Sequence, residues 1–322
     1  MADTPCPNLI DLKPDLSSMH DAVLAGLTAT PKSLPPWLFY DAEGSRLFEA
    51  ICAQPEYYPT RTELSILRMN AVAIAAAIGD DCTLVELGSG SHRKASVMLR
   101  LLQRPGGYVA IDVSMAQLSE AVSALAREFP RLPVTGICAD FGDGTSPLPL
   151  AATGRRLVGF FPGSTIGNMT PDLAEVFLRH WSRRLRGGGM LVGVDLVKDP
   201  SLLHAAYNDA AGITAAFNRN MLANVRRQLD TDIDPVLFDH RAFFDAERSR
   251  VEMHLVARTD HIVRIGERHI GFARGESIHT EVSCKYTVEG FQALARRAGF
   301  VPRQVWTDPR GWFSVHYLDA PA

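Results

Sequence analysis

From Leu84 onward the chain alternates short, unbroken apolar runs with longer stretches in which apolar residues recur every three or four positions, and few folds accommodate that rhythm. The runs are Leu84–Leu87, Tyr108–Ile111, Val134–Ile137, Leu157–Phe161 and Met190–Val194. Strands without polar interruption suit a sheet buried on both faces, and the amphipathic segments between them supply covering helices, which is the pattern of a doubly wound parallel sheet of Rossmann type. The rhythm stops after Val197. Asp209 to Leu229 reads as one long helix rich in Ala, Asn and Arg, and an acidic, turn-rich stretch follows around Asp230 to Asp234. Arg250–Ala257, His261–Ile265 and Ser277–Tyr286 alternate as antiparallel strands do. Val288–Ala298 returns to helical spacing ahead of final strands near Val305 and Phe313–Leu318. The expectation is an α/β chain with a Rossmann-like core over residues 61–197 and 287–322. An inserted α+β lobe would span 198–286 and take in residues 1–60, whose one amphipathic stretch is Met19 to Leu27.

Composition narrows what such a chain can do. At 322 residues it can bury about three quarters of its unfolded surface. Lys plus Arg number 33 against 36 for Asp plus Glu, a net charge of -3, so no positive field exists to draw a nucleic acid. Arg183, Arg184 and Arg186, like Arg226 and Arg227, sit at helical spacing without aromatic interleaving and read as solvated helix faces. Cysteines at 6, 52, 82, 138 and 284 form no C-x-x-C pair and read as reduced thiols. The amino terminus lacks a basic segment ahead of an apolar one, and Ala71–Ile78 is too short to span a bilayer. These features suggest a cytoplasmic enzyme, monomeric, with a small-molecule substrate and no membrane partner. The ten histidines show no close ligand pair, so no metal is expected.

The first run leads straight into a turn of small residues, Glu86-Leu87-Gly88-Ser89-Gly90-Ser91, before the helical stretch Lys94 to Leu102. Such a turn lets a ligand approach bare backbone. A dinucleotide loop would place glycine where Arg93 stands, so tight packing of a pyrophosphate is not supported, and an adenosyl ligand without phosphate fits better. Asp112 ends the second run, where an acid can accept both ribose hydroxyls. Asp140 and Phe141 follow the third, offering a carboxylate to an adenine amine and a ring to the purine face. Each feature alone has a plainer reading, since a glycine turn can be only a turn and a strand-end Asp often caps a helix. Their convergence favours S-adenosylmethionine as co-substrate over a nicotinamide.

Six words of sequence then resemble one family. They are Tyr40-Asp41-Ala42-Glu43-Gly44-Ser45, Pro55 to Glu63 (PEYYPTRTE), Gly163-Ser164-Thr165-Ile166-Gly167-Asn168, Asp195-Leu196-Val197-Lys198-Asp199, Ala216-Phe217-Asn218-Arg219-Asn220 and Thr280-Glu281-Val282-Ser283-Cys284-Lys285. In this order, from about Leu34 to Tyr317, they resemble the L-histidine Nα-methyltransferases that form trimethylhistidine (hercynine) in ergothioneine biosynthesis. The resemblance implies that Gly88, Ser89, Gly90, Lys94, Asp112, Asp140 and Phe141 belong to the S-adenosylmethionine site. It also implies that Tyr57, Gly163, Asn168, Tyr207, Glu281 and Ser283 hold the amino acid, with Phe48 and Met253 beside it.

The residue types suit that chemistry. In the strand-like run from Ile278, positions 281 and 283 point to one face. A neutral imidazole offers one donor and one acceptor nitrogen, for which a carboxylate and a hydroxyl are a matched pair; the plainer reading of Glu281 is a partner for a surface cation. Asn168 and Tyr207 could donate to a substrate carboxylate, or serve as a turn residue and a half-buried aromatic. Tyr40 is the candidate for steering the amine proton, and Tyr40, Phe48 and Tyr57 could face the quaternary ammonium of the product. The alternatives are tryptophan, another aromatic amino acid or a biogenic amine as acceptor, and a non-catalytic binder of S-adenosylmethionine or an amino acid.

Overall fold

The computed structural model describes residues 7–12, 18–90, 92–142, 148–150 and 155–322. Cys6 and the rest of the amino terminus read for a targeting segment, together with Ser91, lie outside the described residues. The elements begin with β1 (Asn8–Asp11), α1 (Ser18–Thr28), β2 (Lys32–Ser33), α2 (Ala42–Cys52), α3 (Pro59–Met69) and α4 (Ala71–Ile78). The alternating region follows as β3 (Cys82–Leu87), α5 (His92–Leu101), β4 (Gly107–Asp112), α6 (Met115–Glu128), β5 (Val134–Cys138), β6 (Arg156–Phe161), α7 (Pro171–Arg184) and β7 (Gly189–Asp195). Next come α8 (Pro200–Tyr207), α9 (Ile213–Gln228), β8 (Phe238–Asp245), β9 (Arg250–Ala257), β10 (His261–Ile265), β11 (Arg268–Phe272) and β12 (Ser277–Cys284). The chain closes with α10 (Val288–Arg297), β13 (Val301–Thr307) and β14 (Phe313–Asp319). Two compact units result: a core of Met1–Pro14, Pro59–Val197 and Tyr286–Ala322, and a lobe of Asp15–Tyr58 and Lys198–Lys285.

The core holds one eight-stranded sheet in the order β1-β5-β4-β3-β6-β7-β14-β13. The first six of these strands pair in parallel, and β14 runs antiparallel to both β7 and β13. Every residue of β3, β4 and β7 is buried, as uninterrupted apolar runs require when helices cover both faces. Leu84, Ala110, Val158, Phe160 and Leu191 from the strands pack with Ile66, Ile74, Leu99, Val122 and Leu125 from α3 to α6. From β3 the chain winds outward through β4 and β5, whereas from β6 it winds the other way through β7. The strand order therefore reverses between β3 and β6, where open α/β sheets leave a crevice at the carboxyl ends of their strands.

Residues 1–60 were expected in the lobe, but β1 is an edge strand of the core sheet, with Leu9 opposite Gly136. A Cβ on Gly136 would stand 2.8 Å from Leu9 Cδ2, so the bare glycine makes room for that leucine. The expected long helix from Asp209 begins only at Ile213, because the Asp209 carboxylate accepts from the amides of Ile213 and Thr214, both at 2.8 Å, after the left-handed turn at Gly212. The strand expected to run to Tyr286 stops at Cys284, and the amide of Tyr286 donates to Asp195 within the core.

In the lobe a four-stranded sheet has the order β2-β12-β9-β8, and β10 and β11 form a separate hairpin. Strand β8 was not anticipated, because FDHRAFFD breaks the two-residue alternation. Between His279 and Glu281 the β12–β9 pairing shifts register, so that His279 lies opposite His254 while Glu281 lies opposite Met253 and Ser283 opposite Val251. Thr280 is the extra residue of a β-bulge. No helix among the described residues is long and apolar enough to cross a membrane. Leu84, wholly buried in β3, gives a direct test of the core: Leu84→Ala is expected to remove about 2–5 kcal/mol of stability, read by urea denaturation, and a loss below 1 kcal/mol would contradict this packing.

Candidate active site

Gly88 continues β3 into the crevice with φ of 74° and donates its amide to Ile111, which extends the ladder by one residue. A side chain at Gly88 would stand 3.5 Å from Phe141 Cζ, so the phenyl ring lies against bare backbone. Phe141 meets the rings of Phe161 and Phe177 edge-on, and its carbonyl accepts from the Trp181 indole at 3.2 Å. Ser89 is buried with its hydroxyl unpartnered, and nothing lies within 4 Å of where a Cβ on Gly90 would be. Asp112 accepts from the amide of Ser114 at 2.9 Å, and burial raises its pKa although the nearby amides of Ser114, Ser89, Gly90 and Val113 pull it down. Asp140 is exposed, two residues beyond β5, and accepts from the amide of Gly142 at 2.7 Å. Gly88, Ser89, Gly90, Asp112 and Phe141 thus meet at one mouth of the core.

The other wall starts at the end of β6. Gly163, with φ of 81°, donates its amide to both oxygens of Glu63 at 2.9 Å each, and Lys94 Nζ stands 2.6 Å from Glu63 Oε2. Glu63, on α3, is only 1% exposed. A Cβ on Gly193 would come 2.0 Å from Glu63 Oε1, so that glycine in β7 makes space for the carboxylate. Sequence reasoning gave Glu63 no role; the signal was an acid placed among the apolar positions of an amphipathic helix. Asn168 ends a single 3-10 turn, Thr165–Asn168, just beyond. Behind the loop, burial pushes the Glu86 carboxyl up to about 8, despite the Tyr108 hydroxyl that donates to it and nearby Lys94. Glu86 is therefore mostly neutral at pH 7.

Within the lobe, Tyr40, Phe48, Tyr57 and Phe217 form an aromatic nest. Phe48 meets Tyr40 at 6.0 Å and Tyr57 at 6.3 Å, both edge-on, and Phe217 lies 6.0 Å from Tyr40 and from Phe48. Burial holds the Tyr57 phenol well above its ordinary value, and Cys52, Tyr207, Glu281 and Tyr40 are close enough to add to that effect. Burial also pushes the Glu281 carboxyl up to about 7, against the pull of Lys285. Tyr40, Phe48, Tyr57, Tyr207, Met253, Glu281 and Ser283 all belong to the lobe, whereas Gly163 and Asn168 belong to the core.

Two groups of residues have partners that local spacing does not indicate. Tyr207 Oη donates to Ser283 Oγ at 2.7 Å. Lys285 Nζ donates to Ser283 Oγ at 2.7 Å and to Tyr207 Oη at 3.1 Å. With both lone pairs of Ser283 accepting, its own O–H remains to donate. Lys285, only 4% exposed, had no assigned role in the sequence reading, although a lysine closing a buried strand was the available signal. The second group is a pair of histidines. His254 and His279 face one another across β9 and β12 with ring centroids 5.1 Å apart, and Glu252 completes a cluster whose ligand atoms lie within 4.8 Å. Arg250 donates to one oxygen of Glu252 and His254 meets the other, so this carboxylate's charge is already matched by a guanidinium.

Residues 19–320 match the family model described as histidine-specific, S-adenosylmethionine-dependent methyltransferase. The histidine N-alpha-methyltransferase of Mycolicibacterium smegmatis is 46% identical over 302 residues, covering 91% of this chain and 92% of that protein. The histidine N-alpha-methyltransferase of Mycobacterium tuberculosis is 42% identical over 299 residues, with 91% and 92% covered. Ergothioneine biosynthesis protein 1 of Neurospora crassa is 29% identical over 317 residues, which cover 92% of this chain and 34% of that longer protein.

The Glu63 arrangement makes its own prediction. Gly193→Ala places a methyl on the carboxylate and 3.2 Å from the Gly163 nitrogen, so it is expected to destabilise the core by about 1–3 kcal/mol in chemical denaturation. Unaltered stability would mean that Glu63 does not occupy this space.

Proposed function

Because the chain belongs to the family of histidine-specific, S-adenosylmethionine-dependent methyltransferases, we propose that it methylates the α-amino nitrogen of L-histidine in successive steps to N,N,N-trimethylhistidine, the opening step of ergothioneine biosynthesis. The observation that carries the acceptor's identity is the pairing of Glu281 and Ser283 on one face of β12, one a carboxyl poised near neutrality and the other a hydroxyl with its proton free. An ionised Glu281 accepts the imidazole N–H while Ser283 donates to the ring's other nitrogen. A benzene or indole ring cannot use both groups, and leaving buried polar groups unpaired penalises such a substrate.

On the donor side, Gly88 and Gly90 admit the adenosyl group to bare backbone, the buried hydroxyl of Ser89 gains a partner, and Phe141 lies along the purine. Asp112 is assigned to the ribose hydroxyls, Asp140 to the adenine amine, and Lys94 to the carboxylate of the methionine moiety. Asn168 is assigned to the substrate's carboxylate and Gly163 to its amine end. The core binds the donor and the lobe residues named above select the acceptor.

Transfer is an in-line displacement. The neutral amine's lone pair attacks the methyl carbon, the C–N bond forms as the C–S bond breaks, and sulfur keeps the electron pair to leave S-adenosylhomocysteine. Attack needs the nitrogen about 3 to 3.5 Å from the methyl and in line with the leaving sulfur. A free amino acid arrives largely as its ammonium, so a proton must leave before each of the three transfers. Tyr40 is assigned to steering that proton away. Tyr57, held as neutral phenol, serves as a ring rather than a base, and with Phe48 and Tyr40 it accommodates the growing positive charge at nitrogen.

Mass spectrometry of a free amino-acid panel with excess S-adenosylmethionine should show histidine gaining one, two and three methyl groups. Methylation of tryptophan in its place, or no mass shift at all, would defeat this reading. A second expectation follows from Glu281. Its carboxyl carries its proton below about 7 and is ionised above, so KM for histidine should fall as pH rises through that value. Glu281→Gln should raise KM and remove the carboxyl's share of that step, leaving the titrations of the substrate's own imidazole, at about 6.5, and of its amine. Stability moves the opposite way: the unfolded carboxyl ionises first, so Glu281 lowers stability as pH rises from 4.5 to about 7, and the glutamine variant should show a shallower fall, with the share due to Glu86 retained.

A further inference from the structure

We propose that Asn218 and Thr280 are positioning residues that aim Glu281 at the acceptor by pinning the β-bulge in β12; the inference rests on the acceptor reading above. Register makes the case. Before the bulge Ser277, Ile278 and His279 lie opposite Val256, Leu255 and His254, and continuing that pairing would put Glu281 opposite Glu252. Two carboxylates would then face each other, and Glu281 would share a face with Arg250 and His254. One inserted residue moves Glu281 opposite Met253 and Ser283 opposite Val251 instead.

A bulge needs something to hold its unpaired residue, and α9 supplies it. Asn218, wholly buried, donates from Nδ2 to the carbonyl of His254 at 3.0 Å and lies 2.9 Å from His240 Nδ1. Its Oδ1 accepts from the hydroxyl of Thr280 at 2.8 Å, which also stands 3.0 Å from the carbonyl of Met253. A single amide thus ties β8, β9 and the bulged residue of β12 together. The chain of bonds runs on: His240 Nε2 stands 2.9 Å from the carbonyl of Tyr207, and the Tyr207 hydroxyl bonds Ser283. Burial lowers the His240 pKa, which favours the neutral ring whose Nε2–H donates to Tyr207 and whose Nδ1 accepts from Asn218. The donors and acceptors along this chain are mutually consistent, with the single Thr280 proton shared between Asn218 Oδ1 and the Met253 carbonyl, and a buried polar network of this kind fixes a single geometry. Both groups assigned to the imidazole are therefore set from one amide, Glu281 through Thr280 and Ser283 through Tyr207.

Thr280→Val keeps the β-branched shape and removes the hydroxyl. It is expected to raise KM for histidine about tenfold or more, with kcat reduced less and the dissociation constant for S-adenosylmethionine, read by calorimetry, unchanged. Thr280→Ser, which restores the hydroxyl, should return KM to near the parent value. The double variant Thr280→Val with Glu281→Gln should be no worse in KM than Glu281→Gln alone, because the threonine acts only through the glutamate. A merely structural role would lower the melting temperature, weaken both substrates together and add its loss to that of Glu281→Gln. If valine prevents folding, Thr280→Ala in the same cycle carries the same expectations. A folded Thr280→Val or Thr280→Ala variant with parental KM, or full additivity in the cycle, overturns the proposal. If Glu281→Gln itself leaves KM unaltered, the acceptor reading fails, and that outcome is distinct from the first.

Discussion

The reversal of strand order between β3 and β6 is the constraint on which the donor side depends. These two strands are hydrogen-bonded neighbours from Cys82 opposite Arg156 to Glu86 opposite Phe160, yet the chain leaves them in opposite directions. Crossovers therefore cover the faces of the sheet and leave the space above its carboxyl ends open. Gly88 and Gly163 take up that space, both with positive φ that a side chain would strain. Burial of β3, β4 and β7 on both faces fixes the strand ends, and the strand ends in turn fix Asp112 and Phe141.

Polar groups inside this protein are handled in three ways, and the differences bear on chemistry. Glu63 is buried beside a cation and an amide and serves as a brace between α3, α5 and the end of β6. Glu86 is buried with a phenol as its hydrogen-bonded partner and holds its proton up to about 8, so it spends no charge beside the loop. Glu281 sits between these cases, with Lys285 near enough to offset part of the desolvation and leave it poised at about 7. Its ionisation responds to what lies near it, since a nearby positive charge or hydrogen-bond donor favours the charged form.

Much of this was legible in the sequence, for reasons that differ along the chain. The strands of the core were found because burial on two faces leaves an apolar run with no other explanation, and the β9 and β10 boundaries followed from clean alternation. Strand β8 escaped because Arg241 and the Phe243-Phe244 pair disturb its period, and the start of α9 was misplaced because Asp209 caps the helix from outside it. The candidate residues of each unit stood in short words whose neighbours carried the information. Glu63, Lys285 and the His254–His279 pair were hidden, since each depends on partners 25 or more positions away or on which face of a strand a side chain takes, and neither is set by local spacing when the strand is bulged.

The bulge shows why alternation alone would have misassigned the lobe's two faces. A regular strand places residues 279, 281 and 283 together, which would put Glu281 and Ser283 with His279 on the side of Arg250, Glu252 and His254. With Thr280 inserted, one face carries Arg250, Glu252, His254 and His279, a set of charges and rings that satisfy one another. The other face carries Val251, Met253 and Leu255 with Glu281 and Ser283 set among them. A carboxylate beside Arg250 would be held ionised and already paired, and so would have nothing to offer a substrate. On the apolar face the same group is desolvated, and burial leaves it poised at about 7 in place of the low value that an ion pair with Arg250 would give it.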